Sequence, residues 1–134
     1  MGPDRSTFSF PQAHRVRKRR EYLRVQRRGE RIWGRRFIFY FGRPGTGEAR
    51  LGITVSRKVG NAVTRNRIKR WVREAFRQNR EIFNRPVDLV LIAKRDIEDF
   101  SYANIEAELV EVVRRFHREG GRHGGRSRQK RGQR

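Results

Sequence analysis

The spacing of apolar residues along the chain predicts six regular elements, in the order helix, strand, strand, helix, strand, helix. They are expected at residues 19–28, 36–41, 50–56, 62–79, 87–93 and 101–117. Asn61 and Ser101 stand where the second and third helices begin, and each side chain can accept a bond from a free backbone N–H as an N-cap. Gly29 and the Gly120-Gly121 pair are expected to end the first and last helices.

Side-chain alternation indicates where two of the strands lie in a sheet. Along 50–56 the large apolar residues share one face, and the small residues Gly52, Thr54 and Ser56 share the other. Such a small polar face is either solvated, which is the commoner case, or it accepts a ligand. The strand at 87–93 is apolar on both faces apart from Asp88, which predicts an interior position. The pattern therefore predicts an α/β two-layer sandwich with helices packed on a small mixed sheet.

The central predicted helix separates apolar side chains from cationic ones. At about 100° per residue, one side can pack on the sheet through Ile68, Trp71, Val72 and Ala75. The opposite side carries five cations and one amide, namely Arg65, Asn66, Lys69, Arg70, Arg73 and Arg77.

Charge is segregated between elements along the chain. Residues 57–80 hold nine cations and one acid, Glu74, whereas residues 96–111 hold six acids and no Lys or Arg. Cations one helical turn apart repel each other unless an anion neutralises them. The cationic side of the central helix is therefore predicted to bind phosphate, in preference to being a solvated charged face.

The composition indicates the same class of partner. The chain has 35 Lys and Arg against 14 Asp and Glu, a formal charge of +21, and nucleic acid is the first polyanion to consider. A membrane surface is the competing partner, but no apolar run reaches the length of a transmembrane helix, and no signal peptide is expected. The absence of cysteine excludes disulfides and thiolate metal sites and fits a cytoplasmic protein.

The apolar residues also predict the domain organisation. Residues 1–14 have no periodicity and are expected to be flexible, and residues 15–118 are expected to form the single folded domain. Residues 119–134 are basic and contain no apolar side chain, so we expect a disordered tail.

One motif resembles a known protein family. The segment Gly60-Asn-Ala-Val-Thr-Arg-Asn-Arg-Ile-Lys-Arg70, with Arg65-Asn66-Arg67 at its centre, is similar to the signature of the bacterial ribonuclease P protein. It follows Gly52-Ile-Thr-Val-Ser56 and Arg57-Lys58 in the order that this family shows. The match is nearly continuous over residues 52–77 and weaker over 15–118.

The resemblance implies a fold like the second domain of ribosomal protein S5. It also implies an unusual left-handed β-α-β crossover, which runs from residues 52–56 through the central helix to residues 87–93. General rules of chain topology favour the right-handed connection, so this expectation comes from the family alone.

The resemblance further implies two RNA contacts. The central helix and the loop before it are expected to bind the catalytic RNA subunit through Arg57, Lys58, Asn61, Arg65, Asn66, Arg67, Lys69, Arg70 and Arg73. A cleft between the first helix and the sheet is expected to hold the single-stranded 5′ leader of precursor tRNA through Tyr22, Gln26, Tyr40 and Thr54. Gln26 stands where the family often has a second aromatic residue, so a hydrogen bond is expected there in place of stacking.

No catalytic residue and no metal ligand is assigned to the protein. The three histidines are scattered, and Asp96, Glu98 and Asp99 are better explained as a polar loop before a helix than as a metal site. In the family the RNA subunit is the endoribonuclease and binds most of the Mg²⁺. The protein is then expected to be a monomer, one per RNA subunit, that favours precursor over mature tRNA by contacting the leader.

Three other functions compete with this interpretation. A ribosomal or other structural RNA-binding protein would have the same composition and fold, and only the signature at Arg65–Arg70 in its context argues against it. A nucleoid DNA-binding module is disfavoured because no second short helix precedes the basic helix. A protein-only nuclease would need a metal or acid–base cluster that the sequence lacks.

Overall fold

The computed structural model describes residues 11–123. Its main elements are helices α1 (Arg19–Arg28), α2 (Ala62–Gln78) and α3 (Tyr102–His123) and strands β1 (Glu30–Trp33), β2 (Phe37–Gly42), β3 (Arg50–Thr54) and β4 (Asp88–Ala93). Two short 3₁₀ helices lie at Gln12–His14 and Arg80–Ile82. All six predicted elements are present, and β1 is an additional strand that the sequence pattern did not predict.

The four strands form one mixed sheet in the order β1-β2-β4-β3. β2 is antiparallel to both β1 and β4, while β3 and β4 are parallel neighbours joined through α2. β4 therefore lies inside the sheet, as its apolar faces predicted. This arrangement confirms the mixed α/β class, and the left-handed sense of the crossover stays a prediction.

Helices cover both faces of the sheet. On one face α2 and α3 bury the main core, whose largest buried side chains include Phe37, Phe39, Ile68, Leu89, Leu91 and Leu109. On the other face α1 and the segment before it cover only part of the sheet, through a small cluster of Val16, Val25 and Val90. The predicted two layers thus gain a partial third, because α1 packs on the face opposite α2 and α3.

A buried ionic network attaches α1 to the sheet. Asp88, the one charged residue of β4, is 0% exposed and accepts two bonds from the Arg50 guanidinium at 2.8 and 3.0 Å. Arg24 of α1 reaches the same carboxylate at 3.1 Å, and Glu21 lies 3.3 Å from Arg50. The desolvated Asp88 is thereby fully paired, as a buried charge must be, and α1 is held across the ends of β3 and β4.

Helix ends follow the predicted caps at three of four places. The Asn61 side-chain oxygen accepts the Thr64 N–H at 2.9 Å, and the Ser101 hydroxyl accepts the Asn104 N–H at 3.1 Å. Gly29 follows α1 because the chain passes so close to Phe41 that a Cβ would lie 2.6 Å from the Phe41 carbonyl oxygen.

The last helix is longer than predicted. α3 continues through the glycine pair to His123, so the expected end at Gly120 is wrong. A glycine in a helix costs about 1 kcal/mol relative to alanine, but it does not prevent the helix from continuing. The predicted tail boundary at residue 119 thus falls inside α3, and residues 124–134 of that tail lie outside the described residues.

At the other end of the chain, residues 12–14 of the predicted flexible segment form a 3₁₀ helix, while residues 1–10 lie outside the described residues.

One buried histidine makes the stability of the fold depend on pH. The His117 side chain is 8% exposed, and burial, together with the nearby positive charge of Arg85, lowers its pKa from 6.5 to about 4. The folded protein therefore keeps the His117 imidazole neutral, while the imidazole in the unfolded chain takes up a proton as the pH falls below 6.5.

We expect the free energy of unfolding to fall by roughly 2 kcal/mol through this group as the pH drops from about 7 to about 5. His117→Gln removes the titration, so its unfolding free energy should change less over that window. Urea denaturation at a series of pH values measures this. Equal slopes for the two proteins would contradict the assignment.

Candidate nucleic-acid interface

The inner side of α2 is buried as the sequence predicted. Ile68 is 1% exposed, and Val72, Ala75 and Phe76 are each 0% exposed against the sheet and α3. Trp71 is partly buried at the border of the same core. These contacts fix the rotation of the helix about its axis, because any other rotation would expose the apolar side chains to water.

The outer side of α2 and the loop before it present the predicted cations on one surface, which we call the α2 face. Asn66, Arg67 and Arg70 are exposed, as are Arg57, Lys58 and Asn61 in the preceding loop. Arg65, Lys69 and Arg73 are half-buried at the edges of this surface. All nine residues predicted to bind the RNA subunit thus reach the surface of this region, and five of them line one depression, namely Asn66, Arg67, Lys69, Arg70 and Arg73.

The cations of the α2 face have no carboxylate partners within residues 11–123. The single acid of the segment, Glu74, bonds to Arg77, and this bond holds the pKa of Glu74 below its ordinary value. Arg77 was expected on the phosphate-binding side, but its guanidinium is occupied by this carboxylate. Arg77 lies on the expected side of α2, where it lines the same surface depression as Arg70 and Arg73, and its ion pair with an acid three residues earlier was not predicted.

Two of the predicted contact residues also stabilise the local backbone. Asn61 uses its side-chain oxygen to cap α2, and the Arg65 Nε donates to the carbonyl oxygen of Gly60 at 3.1 Å. The bond holds the Arg65 side chain beside the loop. The terminal guanidinium nitrogens of Arg65 make no hydrogen bond within the described part of the chain, so they remain available to an anion.

Arg73 connects the α2 face with α1. It is half-buried, and burial, together with the positive charge of Arg15, lowers its pKa from the ordinary arginine value. The charge of Arg73 also acts on Tyr22 of α1, where it opposes the rise in pKa that burial causes. The α2 face and the surface beside α1 are therefore electrostatically coupled at this point.

Tyr22 is bound to the edge of the sheet. Its ring lies over Gly52, where a Cβ would come within 2.8 Å of the ring, so only glycine allows this contact. Its hydroxyl accepts the Ile53 N–H at 2.9 Å and donates to the Ile53 carbonyl oxygen at 3.3 Å. Burial raises the pKa of the Tyr22 hydroxyl, which stays protonated at neutral pH.

The other three predicted leader residues lie on the same side of the sheet. Tyr40 is half-buried beside the cluster of Val16, Val25 and Val90, and Thr54 is exposed at the end of β3. Gln26 is half-buried one helical turn after Tyr22 on α1. The structure therefore brings all four residues to the partly covered face, which we call the α1 cleft.

Sequence reasoning missed the floor of the α1 cleft. Ile38 and Ile92 are half-buried on this face between Tyr40 and Thr54. Their alternation with buried neighbours was visible in the sequence, but the strand register that places them beside Thr54 was not.

One acid of the loop before α3, Asp99, and one acid within α3, Glu108, make structural contacts with the start of β2. The Asp99 carboxylate accepts a bond from Arg36 at 2.8 Å, and Glu108 accepts bonds from the Arg36 side chain and from the backbone N–H groups of Arg36 and Phe37. Within residues 11–123, no three His, Cys, Asp or Glu side chains are grouped so as to hold a metal ion.

Several known proteins have sequences similar to that of this chain. A family model described as Ribonuclease P matches residues 10–117. The ribonuclease P protein component of Syntrophus aciditrophicus is 42% identical over 102 residues, which cover 76% of this chain and 86% of that protein. The corresponding component of a Thermotoga species (strain RQ2) is 35% identical over 114 residues, covering 82% and 97%.

Solved structures of the same kind have the same fold. The RNase P protein of Staphylococcus aureus is 33% identical and superposes with a TM-score of 0.69, covering 76% of this chain and 94% of that one. The RNase P protein from Thermotoga maritima is 33% identical with a TM-score of 0.68, covering 75% and 96%. The match over nearly the whole described chain, together with the motif at residues 60–70, shows that this chain belongs to the family of ribonuclease P protein components, the protein subunits of a nuclease that processes tRNA.

Proposed function

We propose that this subunit binds the catalytic RNA of ribonuclease P with its α2 face and the 5′ leader of precursor tRNA in its α1 cleft. In this way it assists the Mg²⁺-dependent endonucleolytic removal of the leader. The observation that carries the proposal is the set of cations on the α2 face, which have no carboxylate partners within residues 11–123.

The repulsion between the cations of the α2 face destabilises the folded protein unless an anion neutralises them. Arg65, Lys69 and Arg73 follow one another at intervals of one turn, and each such like-charge pair destabilises a helix by a few tenths of a kcal/mol. The phosphates of a folded RNA remove this repulsion and release their own counterions on binding. Arginine suits the contact because its planar guanidinium can bind phosphate through two parallel hydrogen bonds.

The α1 cleft has the chemistry of a binding site for unpaired RNA. Tyr40 offers a partly exposed ring on which a base of any identity can stack, and Thr54 offers a hydroxyl on the same face, two strands away in the sheet. The Tyr22 ring is held over Gly52 and forms the wall of the cleft. Arg73 of the α2 face lies close enough to Tyr22 for its charge to act on the hydroxyl, so the two proposed RNA contacts are neighbours on the protein surface.

The protein would contribute binding energy rather than reacting groups. The described residues offer no cluster of metal ligands, so we propose that the RNA subunit binds most of the Mg²⁺. Contact with the leader favours precursor over mature tRNA, since mature tRNA lacks the leader. We propose one protein monomer per RNA subunit in the cytoplasm. No helix in the described part of the chain has the length and hydropathy that crossing a membrane requires.

Reconstitution with a bacterial ribonuclease P RNA tests the proposal. At physiological salt and limiting Mg²⁺, the protein should increase cleavage of precursor tRNA, and the variant Arg65→Ala/Arg67→Ala should lose most of this effect. Arg114→Ala/Arg118→Ala removes the same charge from exposed positions of α3 and serves as the matched control.

The control should behave like the wild type, because its cations are outside the α2 face. An equal loss in both double variants would mean that only the total charge matters. No stimulation by the wild-type protein would reject the proposed function.

The leader contact predicts a selective loss. Tyr40→Ala should weaken precursor tRNA binding to the reconstituted enzyme by about 1–3 kcal/mol, the usual value for a base stacked on an aromatic ring. Mature tRNA should bind as before, and Tyr40→Phe should retain most of the affinity. Filter-binding measurements with both substrates decide this, and equal losses for precursor and mature tRNA would refute the leader cleft.

A further inference from the structure

A row of four residues crosses the whole sheet on the side of the α1 cleft. Thr54 of β3 pairs with Ile92 of β4, Ile92 pairs with Ile38 of β2, and Ile38 pairs with Trp33 of β1. Paired residues on neighbouring strands point to the same face, so Trp33 lies on the face that carries Tyr40 and Thr54. The row therefore extends the cleft to the opposite edge of the sheet.

This row is open, whereas the next one is covered. In the adjacent row, Val90 is 0% exposed and Gly52 is buried beneath Tyr22. In the open row Thr54 is exposed, and Ile38 and Ile92 are half-buried. α1 thus ends its coverage at the Tyr40 row and leaves an apolar strip beside it.

Trp33 is the unusual residue of the open row. It is 58% exposed, and within residues 11–123 only Val63 is a comparably exposed large apolar residue. The Lys94 ammonium lies 5.2 Å from the centre of its ring, and the Arg31 guanidinium lies 5.6 Å away. Within the same residues neither cation has a carboxylate partner, and Lys94 is fixed by a 2.6 Å bond to the carbonyl oxygen of Gly34.

We infer that Trp33, Arg31 and Lys94 form a further subsite for single-stranded RNA at the β1 edge of the sheet. The exposed indole surface contacts a base, and the two cations contact the adjoining phosphate. The inference rests on the proposed function, because the RNA strand that reaches Trp33 is the leader already held by Tyr40 and Thr54.

The length of the open row suits a segment of RNA that is longer than one nucleotide. Neighbouring strands lie about 4.8 Å apart, so the row from Thr54 to Trp33 spans about 14 Å. Ile38 and Ile92 form an apolar floor between its two ends. The combination of a basic edge, an exposed indole and an apolar floor is that of the grooves that bind unpaired nucleic acid without reading its sequence.

Precursor tRNA binding to the reconstituted enzyme tests the subsite. Trp33→Ala should weaken binding by about 5-fold to 10-fold, the lower part of the range for stacked bases, because the ring is already shared with two cations. Trp33→Phe should lose less than about 3-fold, since it keeps an aromatic face. Neither change should alter binding of mature tRNA or of the RNA subunit, and shortening the leader to one nucleotide should abolish the loss.

The outcomes separate this inference from the proposed function. If Tyr40→Ala weakens precursor binding while Trp33→Ala does not, the subsite is refuted and the leader cleft stands. If neither variant affects precursor binding, both fail. A loss in Trp33→Ala that persists with the one-nucleotide leader, or that also affects mature tRNA, would assign Trp33 to another contact and overturn the inference.

Discussion

The burial of one side of α2 against the sheet is the constraint on which the rest of the structure depends. Ile68, Val72 and Phe76 are almost fully inaccessible to water, and each would lose on the order of 1.5–3 kcal/mol if it were exposed. The helix therefore has a single stable rotation about its axis. The cations on its other side reach the surface as a consequence, although their mutual repulsion opposes the arrangement.

The second surface depends on how α1 is attached. The pairing of Asp88 with Arg50 and Arg24 holds α1 across one end of the sheet, and the Tyr22 ring fills the space that Gly52 leaves. This attachment covers some rows of the sheet and leaves the row of Ile38 and Ile92 open. A polar network in the interior thus determines where an apolar and aromatic strip of the sheet reaches the surface.

Much of this could be predicted from the sequence, because it depends on local patterns. The period of the apolar residues predicted α2 and its buried side, Asn61 and Ser101 marked the helix starts, and the apolar β4 indicated an interior strand. The assignment of phosphate binding to the α2 face followed from charge that is segregated along the chain, and the family resemblance then indicated the leader residues.

The remaining features depend on contacts that local patterns do not encode. β1 is four residues long and lies between two glycines, so its pattern is too short to recognise. The alignment of Trp33 with Thr54 follows from three strand registers, each of which needs the folded sheet. The ion pair between Arg77 and Glu74 was not predicted, because the distance between the two groups depends on side-chain conformation. The end of α3 was misplaced because the low helix propensity of glycine does not by itself end a helix.

The two neighbouring residues Arg67 and Ile68 allow the most direct test of the central claim, since Arg67 is exposed and Ile68 is only 1% exposed on the buried side of α2. Unfolding free energy and affinity for ribonuclease P RNA at several salt concentrations are measured for Arg67→Ala and Ile68→Ala. Ile68→Ala should lose about 2–5 kcal/mol of stability and keep its RNA affinity when folded. Arg67→Ala should change stability by less than about 0.5 kcal/mol and bind RNA more weakly, with a shallower salt dependence. A destabilised Arg67→Ala with unchanged RNA affinity would contradict the account.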